Sequence, residues 1–95
     1  MTKKFLVNKV DHFTIDFVVQ SNGKIKLLAT HRPADPYRGS ASQNHVFSDN
    51  SICIAAGNAP TTMERARAIA IHWMQGYSVY IRTGTFPNGA RRVSV

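Results

Sequence analysis

The chain has one cysteine, five acidic residues and no apolar run of membrane-spanning length, and each shortage narrows what it can be. A lone cysteine cannot form an internal disulfide and cannot by itself supply a structural zinc site. Cys53 is therefore either inert packing or a working thiol. The longest apolar stretches, such as residues 17–19 and 52–56, fall far short of the roughly 20 residues that cross a bilayer, so no membrane span is expected. The opening Met1-Thr2-Lys3-Lys4 is not followed by a sustained apolar segment and a small-residue cleavage site, so a cytoplasmic location is expected. His12 and His31 lack a spaced set of partners for a metal and His72 reads as a solvent-facing helix residue beside Trp73, so neither a metal nor a cofactor is expected. Against the five acids stand twelve Lys and Arg, a net charge of +7. That charge attracts nucleic acid, an anionic membrane or an acidic protein partner, of which no membrane partner is expected. The cations are scattered without a run longer than two, which makes nucleic acid the lesser partner candidate.

Apolar residues make up 43% of the chain and charged ones 18%, the balance of a folded rather than a disordered protein. Its 95 residues fit one domain with a thin core, and no internal repeat is present. Phe13, Ile15, Phe17 and Val19 alternate with Thr14, Asp16, Val18 and Gln20, as a half-buried strand requires. Ile25, Leu27 and Ala29 repeat that spacing after Ser21-Asn22-Gly23-Lys24, in which Asn-Gly supplies two positive-φ residues for a tight turn. A β-hairpin is expected over about residues 12–31. Residues 5–10 suggest an earlier strand with imperfect alternation.

Residues 33–44 turn to Pro, Gly, Ser, Asp and Asn, and Pro33, Pro36 and Gly39 mark them as a loop. Two short apolar segments, His45-Val46-Phe47 and Ser51-Ile52-Cys53-Ile54, flank the turn-like Ser48-Asp49-Asn50. Thr61 and Glu64 have the spacing of a capping box, which predicts a helix start. Ala66, Ala70, Trp73, Tyr77 and Tyr80 then recur at intervals of three and four, with Met63, Ile69 and Ile81 beside them. One helix over about residues 62–83 follows, loosened at Gly76 and stopped at Gly84. Residues 88–95 are expected to form a flexible basic tail. The fold class is α+β: an antiparallel β-meander, a loop carrying the cysteine, and one long C-terminal helix packed on the sheet.

The strip Asn44-His45-Val46-Phe47-Ser48-Asp49-Asn50-Ser51-Ile52-Cys53-Ile54 resembles the active-site segment of ubiquitin-conjugating enzymes. In that family a His-Pro-Asn tripeptide precedes an aromatic residue, a turn and the nucleophilic cysteine. Matching cysteine to Cys53 puts the family's asparagine at His45, its proline at Asn44, its histidine at Gln43, its aromatic at Phe47 and its turn glycine at Asn50. The strip is similar also to small bacterial and phage-type members, which carry a second histidine where eukaryotic enzymes have asparagine. The likeness extends over roughly residues 12–87, through Pro60-Thr61, Trp73, Tyr80 and Thr83-Gly84-Thr85-Phe86-Pro87. The chain departs from the family in Gln43 and Asn44, in reading no N-terminal helix, which contributes to docking the activating enzyme, and in lacking further C-terminal helices.

The resemblance implies a minimal ubiquitin-conjugating-like domain over residues 1–95, carrying a ubiquitin-like modifier as a thioester on Cys53. Its implied partners are that modifier, its activating enzyme and a protein acceptor whose amine receives the acyl group. A thiolate suits this work because it is both a good nucleophile and a good leaving group. Thiols are largely protonated at neutral pH, so a nearby base or positive charge assists. The resemblance gives His45 the oxyanion-stabilising or base role and Asp49 the orientation of the acceptor amine. Two other readings stay open: a non-catalytic, binding or inhibitory module of the same fold, and a small basic nucleic-acid-binding protein.

Overall fold

The computed structural model describes residues 1–54 and 57–87, and the expected basic tail lies outside the described residues. Strands β1 (Thr2–Val7), β2 (Asp11–Val19) and β3 (Ile25–His31) form an antiparallel sheet in the order β1-β2-β3. The sheet is followed by a single-turn helix α1 (Ala41–Asn44) and a long helix α2 (Met63–Thr83). The α+β meander with a C-terminal helix is thus as the sequence predicts.

The first strand differs from expectation. It begins at Thr2 and ends at Val7, because Asn8 (φ 54°) and Lys9 (φ 64°) both take left-handed backbone and close the hairpin into β2. At the second hairpin only Gly23 is left-handed (φ 83°). Asn22 contributes through its side chain instead, accepting from the Lys24 N–H at 2.9 Å. The Gln20 N–H bonds to the Lys24 carbonyl at 2.8 Å, giving a three-residue loop in place of the tight two-residue turn.

The cap of α2 lies one residue later than the Thr61–Glu64 pairing predicts. Thr62 is extended (φ −123°, ψ 151°), and its hydroxyl accepts from the Arg65 N–H at 3.2 Å. Glu64 remains in the first turn, where its charge suits the helix dipole. Gly84 ends the helix as expected, at φ 82° with its N–H on the Tyr80 carbonyl at 2.7 Å. Gly76 does not interrupt α2. A Cβ there would lie 2.4 Å from the Phe86 ring, so its missing side chain seats that ring.

Phe13, Ile15 and Phe17 of β2 and Ile25, Leu27 and Ala29 of β3 bury one face of the sheet against Ala66, Ile69, Ala70, Trp73, Tyr77 and Tyr80. Phe13 meets Trp73 and Tyr77 edge-on, with centroids 5.8 and 5.9 Å apart. The polar tips of the helix aromatics reach across to the chain between β3 and α2. Trp73 Nε1 donates to the Asn44 carbonyl at 3.2 Å, Tyr77 Oη to the Pro33 carbonyl at 2.7 Å, and Tyr80 Oη to Asp35 Oδ2 at 3.0 Å. Burial of one aromatic face thereby fixes the segment that carries the candidate site. At the opposite end, buried Asp11 accepts from Ser78 and from both Arg82 nitrogens. The Arg82 hydrogen bond leads the effects that hold the Asp11 carboxyl below its usual range. Among the described residues, no helix is long and apolar enough to cross a membrane.

Candidate functional site

The strip predicted to carry chemistry is built on the free edge of β3. The Ala29 N–H donates to the Asn50 carbonyl at 2.7 Å and the Ile52 N–H to the Leu27 carbonyl at 3.0 Å, bracketing a bridge between Leu28 and Ser51. Residues 46 and 52 form a second antiparallel bridge. Between them the chain turns through Asn50, whose left-handed backbone (φ 72°) asparagine tolerates better than most residues. The Asn50 N–H closes the turn on the Phe47 carbonyl at 2.9 Å.

This fold-back brings two of the three predicted residues together. The Cys53 N–H donates to the His45 carbonyl at 2.9 Å. Cys53 is buried, at 8% exposure, yet it stands outside the apolar core cluster that its neighbour Ile52 joins. Successive side chains of an extended segment point to opposite faces, so Ile52 enters the core and Cys53 turns from it. No hydrogen bond or ion pair joins the thiol to His45 or Asp49.

His45 ends α1 in left-handed backbone (φ 60°, ψ 32°), with its N–H on the Ala41 carbonyl at 2.9 Å. Its ring is 1% exposed and lies against the Phe86 ring at 4.3 Å between centroids. Nδ1 has no hydrogen-bond partner among the described residues. Burial pushes the imidazole pKa down, and no charged neighbour offsets it. His45 is therefore a neutral imidazole with an unused nitrogen.

Asp49 is exposed, and its carboxylate is fully engaged. Oδ1 accepts from the Ser51 N–H at 2.9 Å and from the Ser51 hydroxyl, while Oδ2 meets Lys26 Nζ at 3.3 Å. These contacts, led by the Ser51 hydroxyl, hold its pKa down at about 2. It cannot act as a base near neutral pH, but it does hold an ammonium group.

Two residues organise the strip: Asp35, which the sequence did not single out, and Asn44, which it placed at the family's proline without a structural role. Asp35 accepts from the Tyr37 and Gly39 N–H groups, from Asn44 Nδ2 and from Tyr80 Oη. Burial raises its pKa, but these four hydrogen bonds together outweigh burial and leave the carboxyl below its usual range. Asn44 is buried and uses every polar group of its side chain: Nδ2 donates to Asp35 and the Gly39 carbonyl, and Oδ1 accepts from the Val46 N–H. The segment expected to be irregular over residues 33–44 thus ends in α1, which starts where Gln43 Oε1 accepts from the Ser40 N–H at 3.0 Å. The signal for Asp35 was its place ahead of Tyr37 and Gly39, where aspartate commonly accepts from the next backbone N–H groups. An open groove of about 420 Å³ runs beside the strip, lined by Arg32, Gly39, Asn44, Val46, Phe47 and Ser48 among others.

Among the described residues, no group of three or more His, Cys, Asp or Glu is placed to hold a metal. No family model matches the chain, and no curated protein or solved structure does.

Proposed function

We propose that this chain is a minimal ubiquitin-conjugating-like carrier that holds a ubiquitin-like modifier as a thioester on Cys53 and passes it to an amine. The observation that carries this reading is the folded-back strip. His45 and Cys53, eight residues apart in sequence, are hydrogen-bonded neighbours at 2.9 Å across a turn made by left-handed Asn50. In the resemblance, Asn50 stands at the turn glycine, a position for which positive φ is the physical requirement.

In the proposed cycle the Cys53 thiolate displaces the thiol of the activating enzyme from the modifier's terminal carbonyl. A free amine then attacks that carbonyl, the C–S bond breaks, the C–N bond forms and the thiolate is regenerated. The His45 imidazole has an unpartnered nitrogen, buried against Phe86, that serves the oxyanion or takes the amine's proton once the strip opens to the substrate. Asp49 orients the incoming amine through Oδ2, where the acceptor's ammonium replaces that of Lys26. The acyl group travels from one protein to another, so the activating enzyme, the modifier and an acceptor are the partners.

A second reading is favoured by one observation: Cys53 is 8% exposed and His45 1%. A closed thiol suits a non-catalytic module of the same fold that binds a modifier or blocks its transfer.

Intact-protein mass spectrometry after incubation with a ubiquitin-like protein, its activating enzyme and ATP separates the two. A thiol-labile adduct absent from Cys53→Ser supports carriage, and an adduct that persists on adding amine in His45→Ala assigns His45 to transfer. Absence of adduct, together with a native thiol inert to iodoacetamide, leaves the binding module.

A further inference from the structure

The sheet carries an irregularity that rearranges its outer face. Ile15, Asp16 and Phe17 pair with Ala29, Leu28 and Leu27, a register that would set Thr14 opposite Thr30. Thr14 instead faces His31, one residue further on, across a bulge. A one-residue slip moves a side chain to the other face, and bulges are a common means of re-aiming one. By alternation from Ile25, Leu27 and Ala29, His31 would have faced the core; it is exposed beside Thr14 instead.

Lys4 pairs with the same Thr14 from the other side, so Lys4, Thr14 and His31 form one row across three strands. His12 precedes Thr14 by two residues on β2 and shares its face. These four line an open cleft of about 440 Å³ with Phe5 and Phe13. That size falls within the usual range of small-ligand sites.

The side chains of Lys4, His12 and His31 are exposed, and none of them makes a side-chain hydrogen bond or ion pair with the other described residues, although His12 lies within electrostatic reach of Asp11. The nearby carboxylates are occupied: Asp11 by Ser78 and Arg82, Asp16 by the Met1 amine and Thr2, Asp49 by Lys26. A lysine ammonium, two imidazoles that each keep at least one N–H donor, and a threonine hydroxyl are a set that recognises an oxyanion.

We propose that this cleft binds the phosphate group of a small phosphate monoester, at a site separate from Cys53. A dianion with three terminal oxygens can accept from several of these donors, which line one cleft. A nucleic-acid strand would need a track of cations, whereas the same face continues through Leu6 and Val18, which are 55% and 38% exposed.

The test is an amide and imidazole NMR titration of the full chain with inorganic phosphate, adenosine monophosphate, a short single-stranded oligonucleotide, and chloride at matched ionic strength. Saturable shifts confined to Lys4, His12, Thr14 and His31 with phosphate and the monoester are expected. Replacing Lys4→Ala and His31→Asn together should weaken binding about tenfold or more, whereas Lys24→Ala leaves it unchanged. All three positions are exposed, and the unliganded spectra report whether each variant keeps the fold. Shifts reproduced by chloride, spread over all the cations or indifferent to the double replacement overturn the proposal. So does saturation of the same residues by the oligonucleotide alone.

Discussion

The Cys53 N–H and the His45 carbonyl are joined at 2.9 Å, so the chain's sole cysteine is held by backbone, while its side chain stays outside the core cluster. Ile52, one residue earlier, is 4% exposed and belongs to that cluster. Cys53→Ser, nearly the same volume, is expected to cost less than about 1.5 kcal/mol, whereas Ile52→Ala should cost about 2–4 kcal/mol by opening a core cavity. Urea denaturation of the two variants checks this. Equal losses would place both side chains in the core and would make loss of function in Cys53→Ser uninterpretable.

His45 links the strip to pH. Its folded pKa lies below the ordinary 6.5 because burial disfavours the imidazolium. The unfolded chain thus binds more protons than the folded one in the window just below 6.5. Stability is complete above that value and falls as pH drops through the window, by at most about 1.4 kcal/mol per pH unit from this one group. The carboxylates held low, Asp11, Asp35 and Asp49, act only further down, below their ordinary 3.8. Thermal denaturation between pH 7 and 5 should therefore show a slope that flattens in His45→Asn, a residue that tolerates the same left-handed backbone. An unchanged slope in that variant would remove His45 as its source.

What the sequence revealed of the fold, and what it hid, divides along range. Period-two alternation over residues 13–19 and 25–29 and the three-four spacing from Ala66 to Tyr80 are local signals, and the elements they predict are present. The misses lie where one side chain decides between neighbours. Thr61 and Thr62 are equivalent in type, and the extended backbone of Thr62 is what selects it as cap. Gly76 reads as a weak point in a helix, but its role depends on Phe86, ten residues away and brought back by the turn at Gly84. At the site, the juxtaposition of His45 and Cys53 was legible from the turn between them. The Tyr37 and Gly39 N–H groups on Asp35 follow a local spacing, but the engagement of Asp49 by Lys26 and of Asp35 by Tyr80 rests on tertiary pairing that no spacing reveals.

Asp35 is expected to matter more than any single one of its donors. Asp35→Ala leaves Tyr80 Oη and one Asn44 hydrogen unpaired and frees the loop that leads into α1. The loss should be about 2–4 kcal/mol, against about 1 kcal/mol for Tyr80→Phe, which removes one donor and keeps the ring. Chemical denaturation measures both. Amide exchange at Gly39 should speed up in Asp35→Ala and not in Tyr80→Phe, because only the first removes that N–H's acceptor.

Gly76 and Phe86 offer the sharpest test of packing, because the sign of one substitution depends on the other. Alanine is a better helix former than glycine by about 1 kcal/mol, so Gly76→Ala in the middle of α2 would stabilise an isolated helix. Here the added Cβ would come within 2.4 Å of the Phe86 ring, which is itself 7% exposed and backed by His45. The ring has to give way between the new Cβ and His45, and overpacking of this kind costs about 1–3 kcal/mol, so the net effect should be destabilising. In a Phe86→Ala background the obstruction is gone, and Gly76→Ala should then stabilise by about 1 kcal/mol. The double-mutant cycle accordingly predicts a coupling equal to the overpacking cost, about 1–3 kcal/mol, with reversal of sign. A Gly76→Ala variant that stabilises the protein with Phe86 intact would show that the ring does not occupy this seat, and with it would go the stack that buries His45.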